Sequence, residues 1–364
     1  MVLLHSRLNS YSILVIGPAI PSHVSTQRNS VTMPGIPQFL HGQLFQTPTL
    51  PKTDLTEQTI IVTGANTGLG LEASKHFVRL GVTHLILACR SLSKGEAAKE
   101  QILASTRKTT SKIEVWPLDL CSYVSVVDFA TRCNTLSRLD AVVENAGVSY
   151  NEYTRAEDNE TTITVNVVST FLLALLLLPK LRESAAQFNI TPRLPIVGSA
   201  VHFWAATAEL TTPAQGKIFD TLNDQKSANM AGRYFISKLV VMQCIRELAA
   251  RISASSAKQG SPIVIVSNVA PGWCRTDLFR HEDGGAGQRM ALKVIGRSSE
   301  EGSRTLVHGA VAGKEVHGQY VSECQVKPAS AFVRSKEGEE LQKKIWEELM
   351  AKLEKINPGI SANL

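Results

Sequence analysis

The stretch Thr63-Gly64-Ala65-Asn66-Thr67-Gly68-Leu69-Gly70 constrains this chain more than any other. It follows the apolar run Thr59–Val62 and precedes a helical stretch from Leu71 to Leu80. Strand, glycine loop and helix in that order form a receptacle for a dinucleotide pyrophosphate. Glycine lets the backbone turn tightly and approach the phosphates, and the helix N-terminus offers N–H groups and the positive end of its dipole. The spacing is Gly-x-x-x-Gly-x-Gly. Glycines alone often mark a plain turn, so the strand before and the helix after carry the reading.

The rest of the chain repeats the same grammar. Short apolar runs at Thr59–Val62, Thr83–Ala88, Ile113–Pro117, Ala141–Val143, Leu194–Val197, Ile263–Val266 and Gln319–Val321 alternate with helical-period segments. Such runs with helices between them predict βαβ units and a parallel sheet of about seven strands covered on both faces. Apolar residues make up 43% of the 364 and charged residues 19%, enough for a large core. The net charge of +6 is scattered without a dense Lys/Arg run, which argues against a nucleic-acid partner. Six cysteines form no CxxC pair and read as reduced thiols of a cytoplasmic protein, with no metal site expected. Phe171–Leu178 is apolar but closed by Pro179 and too short to span a bilayer, so it reads as a core helix.

Both ends differ from the middle. Residues 1–50 carry only Arg7 and Arg28 as charges and lack sustained periodicity. Residues 1–32 read as a disordered or non-native start extension, and 33–56 as a lead-in. The alternating domain is expected over 57–330. Beyond it, 331–364 forms a helical extension. There Leu341, Ile345, Trp346, Leu349, Met350, Leu353 and Ile356 recur at helical spacing. Acids and bases mix on its polar face, which favours docking on protein over a membrane surface.

Four further residue patterns carry chemistry. Tyr234 and Lys238 stand four apart in Tyr-Phe-Ile-Ser-Lys, on one helical face. A phenol titrating near 10 is a slow acid at neutral pH, and a neighbouring ammonium favours its ionised form. Ser199 ends an apolar strand, where its hydroxyl can meet a carbonyl oxygen as negative charge develops. Asn166 sits in an apolar helix and needs partners there. At the end of the second run, Ala88-Cys89-Arg90-Ser91 lacks the acid that would take a ribose 2′-hydroxyl, and the Arg90 guanidinium suits a 2′-phosphate.

Glycine loop, Asn145-Ala146-Gly147, Asn166, Ser199 and Tyr234-x-x-x-Lys238 occur in the order found in the short-chain dehydrogenase/reductases, and the chain resembles that superfamily over about residues 36–357. The likeness implies a single Rossmann-type, doubly wound α/β domain. It is strongest to the retinol-dehydrogenase-like group, through Leu87-Ala88-Cys89-Arg90-Ser91, Lys94-Gly95-Glu96 and Val201-His202-Phe203-Trp204, and within it to fungal members that serve secondary metabolism. It implies cofactor contacts from Gly64, Asn66, Thr67, Gly68, Leu69, Gly70, Arg90, Asp119, Asn145, Tyr234, Lys238 and Thr276. Asp119 would hydrogen-bond adenine and Thr276 the carboxamide. Asn166, Ser199, Tyr234 and Lys238 would be the catalytic set, with Asn166 holding a water of the proton relay. Two departures stand out. Glu144 replaces an Asn, and Gly198 replaces the first of two serines.

The resulting expectation is an NADP(H)-dependent oxidoreductase that interconverts a carbonyl and an alcohol. A long segment from Ala200 to Arg233, with Phe203, Trp204, Phe219, Thr211, Thr212 and Asn223, and a glycine-hinged segment at Asp277–Lys293 suggest a medium-to-large, partly apolar small-molecule substrate. The alternatives are a retinol or lipid-type alcohol dehydrogenase, and a non-catalytic NADP(H) sensor on the same fold. The family's habit of pairing through helices leaves a homo-oligomer open.

Overall fold

The apolar runs become strands whose parallel register gathers their carboxyl ends along one edge of a sheet. The computed structural model describes residues 35–106, 110–276, 278 and 295–364. Residues 1–32 and nearly all of the Asp277–Lys293 segment lie outside the described residues.

In chain order the elements begin with α1 (Ile36–Phe45), β1 (Thr59–Thr63), α2 (Gly68–Arg79), β2 (His84–Cys89), α3 (Leu92–Ser105), β3 (Lys112–Pro117), α4 (Tyr123–Cys133) and β4 (Ala141–Val143). A small hairpin follows, β5 (Arg155–Ala156) with β6 (Asn159–Glu160). Next, α5 (Thr161–Ile163) runs through a π-helical turn, Thr164–Ser169, into α6 (Thr170–Phe188). Then come β7 (Arg193–Val197), the short helices α7 (Ala208–Thr211) and α8 (Ile218–Leu222), and the long α9 (Met230–Gln259). The described chain closes with β8 (Ile265–Ala270), α10 (Ser299–Val311), β9 (Tyr320–Ser322), β10 (Gln325–Lys327) and α11 (Lys336–Ile356).

The main sheet has the order β10-β9-β8-β7-β4-β1-β2-β3. All its pairings are parallel except the edge hairpin β9–β10. The doubly wound α/β fold expected from the sequence is the one observed. Alternation within each strand splits the core. Ile61, Ile86, Val142, Leu194 and Val266 face α4, α6, α9 and α11, whereas Ile60, Val62, Leu85, Leu87 and Ile265 face α2, α3 and α10. The order in which strands are added reverses between β4 and β1, and ligands of such sheets bind outside the carboxyl ends at this point.

Three local outcomes differ from the sequence reading. The sixth run extends to Ala270 and starts at Ile265, because Ser267 and Asn268 stay in the ladder beside β7 and β9. β10 and the β5–β6 hairpin were not expected; each is two or three residues long, too short for a period to show. The lead-in contains a helix, α1, that starts after Gly35 in a left-handed conformation with a proline in its first turn. The run 161–188 is long and apolar enough to cross a membrane by length and composition, but 94% of its most apolar window is buried inside the fold. It is the core helix expected from Phe171–Leu178.

The C-terminal helix docks on its own domain. Leu341, Ile345, Trp346, Leu349 and Leu353 are buried, with Trp346 edge-on to Phe171. Polar ties surround this apolar seam: Gln243 Nε2 donates to Gly338 O (3.0 Å), and Gln342 Nε2 to Glu247 Oε2 (2.9 Å).

Candidate active site

The glycine loop lies at the β4–β1 switch point. Gly64 and Gly68 have φ of +64° and +56°, which only glycine adopts without strain. A Cβ on Gly70 would fall 2.5 Å from Gly64 O, so this glycine closes the turn on itself. Asn145, at the end of β4, locks the loop from behind. Its Nδ2 donates to Thr63 O (2.8 Å), while its own N–H and that of Ala146 donate to Thr63 Oγ1 (2.9 Å each). Helix α2 has no side-chain cap and no acid in its first turn. Its N-terminal N–H groups therefore face outward in a positive field, which fits an anionic pyrophosphate. A Cβ on Gly68 would meet Thr276 at 3.6 Å, so the β8 loop reaches the same cradle.

The neighbouring strand ends carry the remaining expected contacts. Leu69 is half-buried against α10. Thr67 holds the N-cap position of α2 in an extended conformation and is exposed, and Asn66 before it is half-buried. Arg90 is exposed just after β2. Asp119 follows β3, and its Oδ1 accepts from Cys121 N–H (2.9 Å). Buried Cys89 backs this corner; burial pushes its thiol up to about 11, against the pull of the Ala65 and Asn66 N–H groups. Thiolate chemistry there is thereby suppressed.

Across the switch point the other expected residues converge. Asn166 lies in the π-helical turn, 2% exposed, with both its amide oxygen and its amide nitrogen hydrogen-bonded. Its Oδ1 accepts from Val148 N–H and its Nδ2 donates to Val148 O, both at 2.9 Å, and Nδ2 also reaches Ser237 Oγ (3.1 Å). Ser237 donates in turn to Tyr234 O (2.7 Å). Lys238 Nζ donates to Val197 O at the end of β7 (2.8 Å), and a Cβ on Gly147 would stand 3.7 Å from it. Burial lowers the Lys238 pKa to about 8. Its Nζ is 5.6 Å from the Tyr234 ring centroid. Ser199 follows Val197 by two residues and begins the 3₁₀ turn Ala200–Phe203, on which α9 packs. The Lys238 ammonium thus ties the helix of Tyr234 to the end of β7, two residues before Ser199.

Three participants had no role assigned from the sequence, though His202 marked part of the family resemblance. Ser237 couples Asn166 to the tyrosine's own helix. His202 fixes the serine backbone: Ser330 N–H donates to its Nε2 (3.2 Å), so Nδ1 carries the proton and donates to Ser199 O (2.7 Å). Burial holds His202 neutral, with a pKa of about 4. Arg233, fully buried beside Tyr234, stands 3.2 Å from Glu209 and 3.8 Å from Glu160, pinning the 200–233 segment to α9. A helical pair such as Tyr-x-x-x-Lys is visible in sequence, but these partners are distant or backbone-mediated.

The two departures have structural counterparts. Glu144 keeps the ladder, donating its N–H to Pro195 O and accepting from Val197 N–H, both at 2.9 Å. Its carboxyl is buried without a hydrogen-bond partner, and burial raises its pKa well above the usual carboxylate range, which favours the neutral form. A Cβ at Gly198 would fall 2.0 Å from Asn268 Oδ1, because the Asn268 amide occupies that space. Part of the expected substrate segment is plain packing. Phe219 is core, Asn223 binds Glu160 N–H (2.8 Å) and Asn159 (2.8 Å), and Thr211 and Thr212 cap their own helical turn. Phe203 and Trp204 remain half-buried beside Ser199.

Residues 58–190 match the short chain dehydrogenase family profile. A short chain dehydrogenase/reductase of Cryptosporiopsis sp. is 42% identical over 328 residues, covering 89% of this chain and 99% of the relative. A short chain dehydrogenase of Emericella nidulans is 44% identical over 291 residues, 78% of this chain and 89% of the relative. Among solved structures, the 3-oxoacyl (acyl-carrier-protein) reductase of Agrobacterium tumefaciens with NADP bound has a similar fold, at TM-score 0.54 and 19% identity over 73% of this chain and 93% of that one. Salutaridine reductase of Papaver somniferum gives 0.54 and 18% over 72% and 99%. Identity of 42% to a relative covered over 99% of its length, with the match of residues 58–190 to the family profile, makes this chain, with its glycine loop, Asn-Ala-Gly turn and Tyr-x-x-x-Lys helix, a member of the short-chain dehydrogenase/reductase family.

Proposed function

We propose that this protein is an NADP(H)-dependent reductase of a ketone or aldehyde in a medium-to-large, partly apolar metabolite, working in fungal secondary metabolism. The observation that carries the reading is the convergence of Asn166, Ser199, Tyr234 and Lys238 at the ends of β4 and β7, beside an uncapped α2 N-terminus. The dinucleotide supplies the hydride when bound. Tyr234 gives the proton to the substrate oxygen. Lys238 favours the ionised phenol by its charge, and Ser199 orients the oxygen with its hydroxyl. Asn166, fixed by Val148 and Ser237, holds the Gly147 turn beside the lysine and would seat a relay water. In the reverse direction the same groups would take the proton from an alcohol.

Preference for the 2′-phosphate rests on Arg90 and on the lack of an acid at Cys89–Ser91. NADP in the Agrobacterium reductase is in keeping with it. The protein would work in the cytoplasm. In the decisive experiment, NADPH and NADH are titrated into the wild type, Arg90→Ala and Tyr234→Phe, and NADPH oxidation is followed over a panel of carbonyl compounds. Tyr234→Phe is expected to lose turnover by about 10²-fold or more while binding NADPH normally. Arg90→Ala is expected to weaken NADPH and leave NADH unchanged. Full activity in the phenylalanine variant, or equal affinity of the wild type for the two dinucleotides, would sink the corresponding part.

A further inference from the structure

Helix α1 plays no part in the mechanism above, yet it lies across the carboxyl ends of β7, β8 and β9. Its start meets the loop after Ser199. A Cβ on Gly35 would touch the Phe203 ring at 2.9 Å, and Phe39 stands edge-on to Trp204 with centroids 5.4 Å apart. Its second half meets the loop after β8. Gln43, 6% exposed, donates from Nε2 to Trp273 O (2.9 Å) and Ile295 O (2.8 Å), and its Oε1 accepts from Trp273 N–H (3.0 Å). Its last turn meets the loop after β9. The buried Arg297 guanidinium donates to Gly42 O and, at 2.8 Å, to Gln46 O, and pairs with Glu323 at 2.9 Å.

Ligands of open parallel sheets bind outside the carboxyl ends of the strands. The Phe39–Trp204 pair is half-buried there, five residues beyond Ser199. We propose that α1 is a specificity-determining wall of the carbonyl-binding end, with Phe39 and Trp204 as its apolar face and Gln43 as the positioning residue that fixes the Trp273 loop. This rests on the oxidoreductase reading above. A saturated side-chain amide is suited to the Gln43 role. It donates and accepts at once, so it satisfies both directions of the Trp273 peptide, which a carboxylate or an apolar group cannot do. The apolar face of Phe39 and Trp204 is expected to sense ring size at the substrate end without touching the glycine loop at the β4–β1 switch point.

The test uses the full chain, with cyclohexanone and 2-decalone as small and bulky carbonyl probes and 1-anilinonaphthalene-8-sulfonate as a binding probe for the NADPH complex. Phe39→Ala is expected to raise KM for 2-decalone by about tenfold at unchanged kcat and unchanged NADPH affinity, with little change for cyclohexanone. It should weaken dye binding by a similar factor. Gln43→Ala should speed hydrogen exchange at the Trp273 amide and raise KM for both ketones, and Gln43→Glu should restore slow exchange only in part. Unchanged KM ratios and unchanged dye affinity in Phe39→Ala would overturn the wall. A wild type that binds NADPH but reduces neither ketone would count against the reductase reading alone. Dye affinity and Trp273 exchange would then decide the wall independently.

Discussion

At the scale of the residue, burial decides protonation at this site. Lys238 and His202 lose affinity for protons, and Glu144 gains it, with desolvation the first cause in each. His202 has a measurable consequence. Its folded-state pKa, about 4, lies below the ordinary value of 6.5, so the unfolded chain binds more protons between those values. Its stabilising contribution is therefore complete above pH 6.5 and lost as pH falls through 4. The expected loss is on the order of 3 kcal/mol. Urea unfolding of the wild type and His202→Gln between pH 7.5 and about 4 checks this, the variant showing a shallower decline with acid. An equal slope in both would assign the acid sensitivity to other groups. None of this was legible in the sequence, where His202 marked only a position. Its partners Ser330 and Ser199 O come together through the fold.

At the scale of the element, the sequence was most readable where a face is buried by period. The seven apolar runs and the C-terminal stripe became strands and a docked helix, because an apolar face must find a partner whatever the loops do. Boundaries were less readable. β8 runs through the polar Ser267 and Asn268, which hide a strand from any apolar count. Helix α1 carries a proline and an internal glycine that mask it, and its reason for folding lies 230 residues away at Trp273. The C-terminal helix provides the element-level prediction. Trp346 is 2% exposed and packs on Phe171 of α6. Trp346→Ala should cost about 3–5 kcal/mol in chemical unfolding, with the cooperative transition kept. A loss below about 1 kcal/mol would mean that α11 is a loosely held appendage and not part of the core.

At the scale of the whole molecule, chemistry is shared between distant ends of the chain. The cradle comes from β1 and α2, the proton-handling groups from the π-helical turn, β7 and α9, and the loops beyond β7, β8 and β9 are strapped by α1. A chain starting at Met33 should bind NADPH and turn over as the full chain does, as measured by dinucleotide titration and steady-state rates. One starting at residue 47 removes Gln43 and two of the Arg297 acceptors, Gly42 O and Gln46 O, and should keep the glycine loop while losing carbonyl affinity. Identical behaviour of the two would deny the N-terminal helix any part in the reaction.

The contact between Gly198 and Asn268 has a bearing on descent. With the asparagine amide 2.0 Å from where a side-chain carbon at 198 would stand, a serine at 198 and the present rotamer at 268 exclude one another. The two positions are thus coupled through one steric contact. The route between their alternatives also has a direction. Shortening residue 268 first opens a small void that a buried site tolerates at moderate cost, whereas enlarging residue 198 first forces a collision next to Ser199. A lineage carrying serine at 198 is therefore expected to carry something smaller than asparagine at 268, or an asparagine turned away from it.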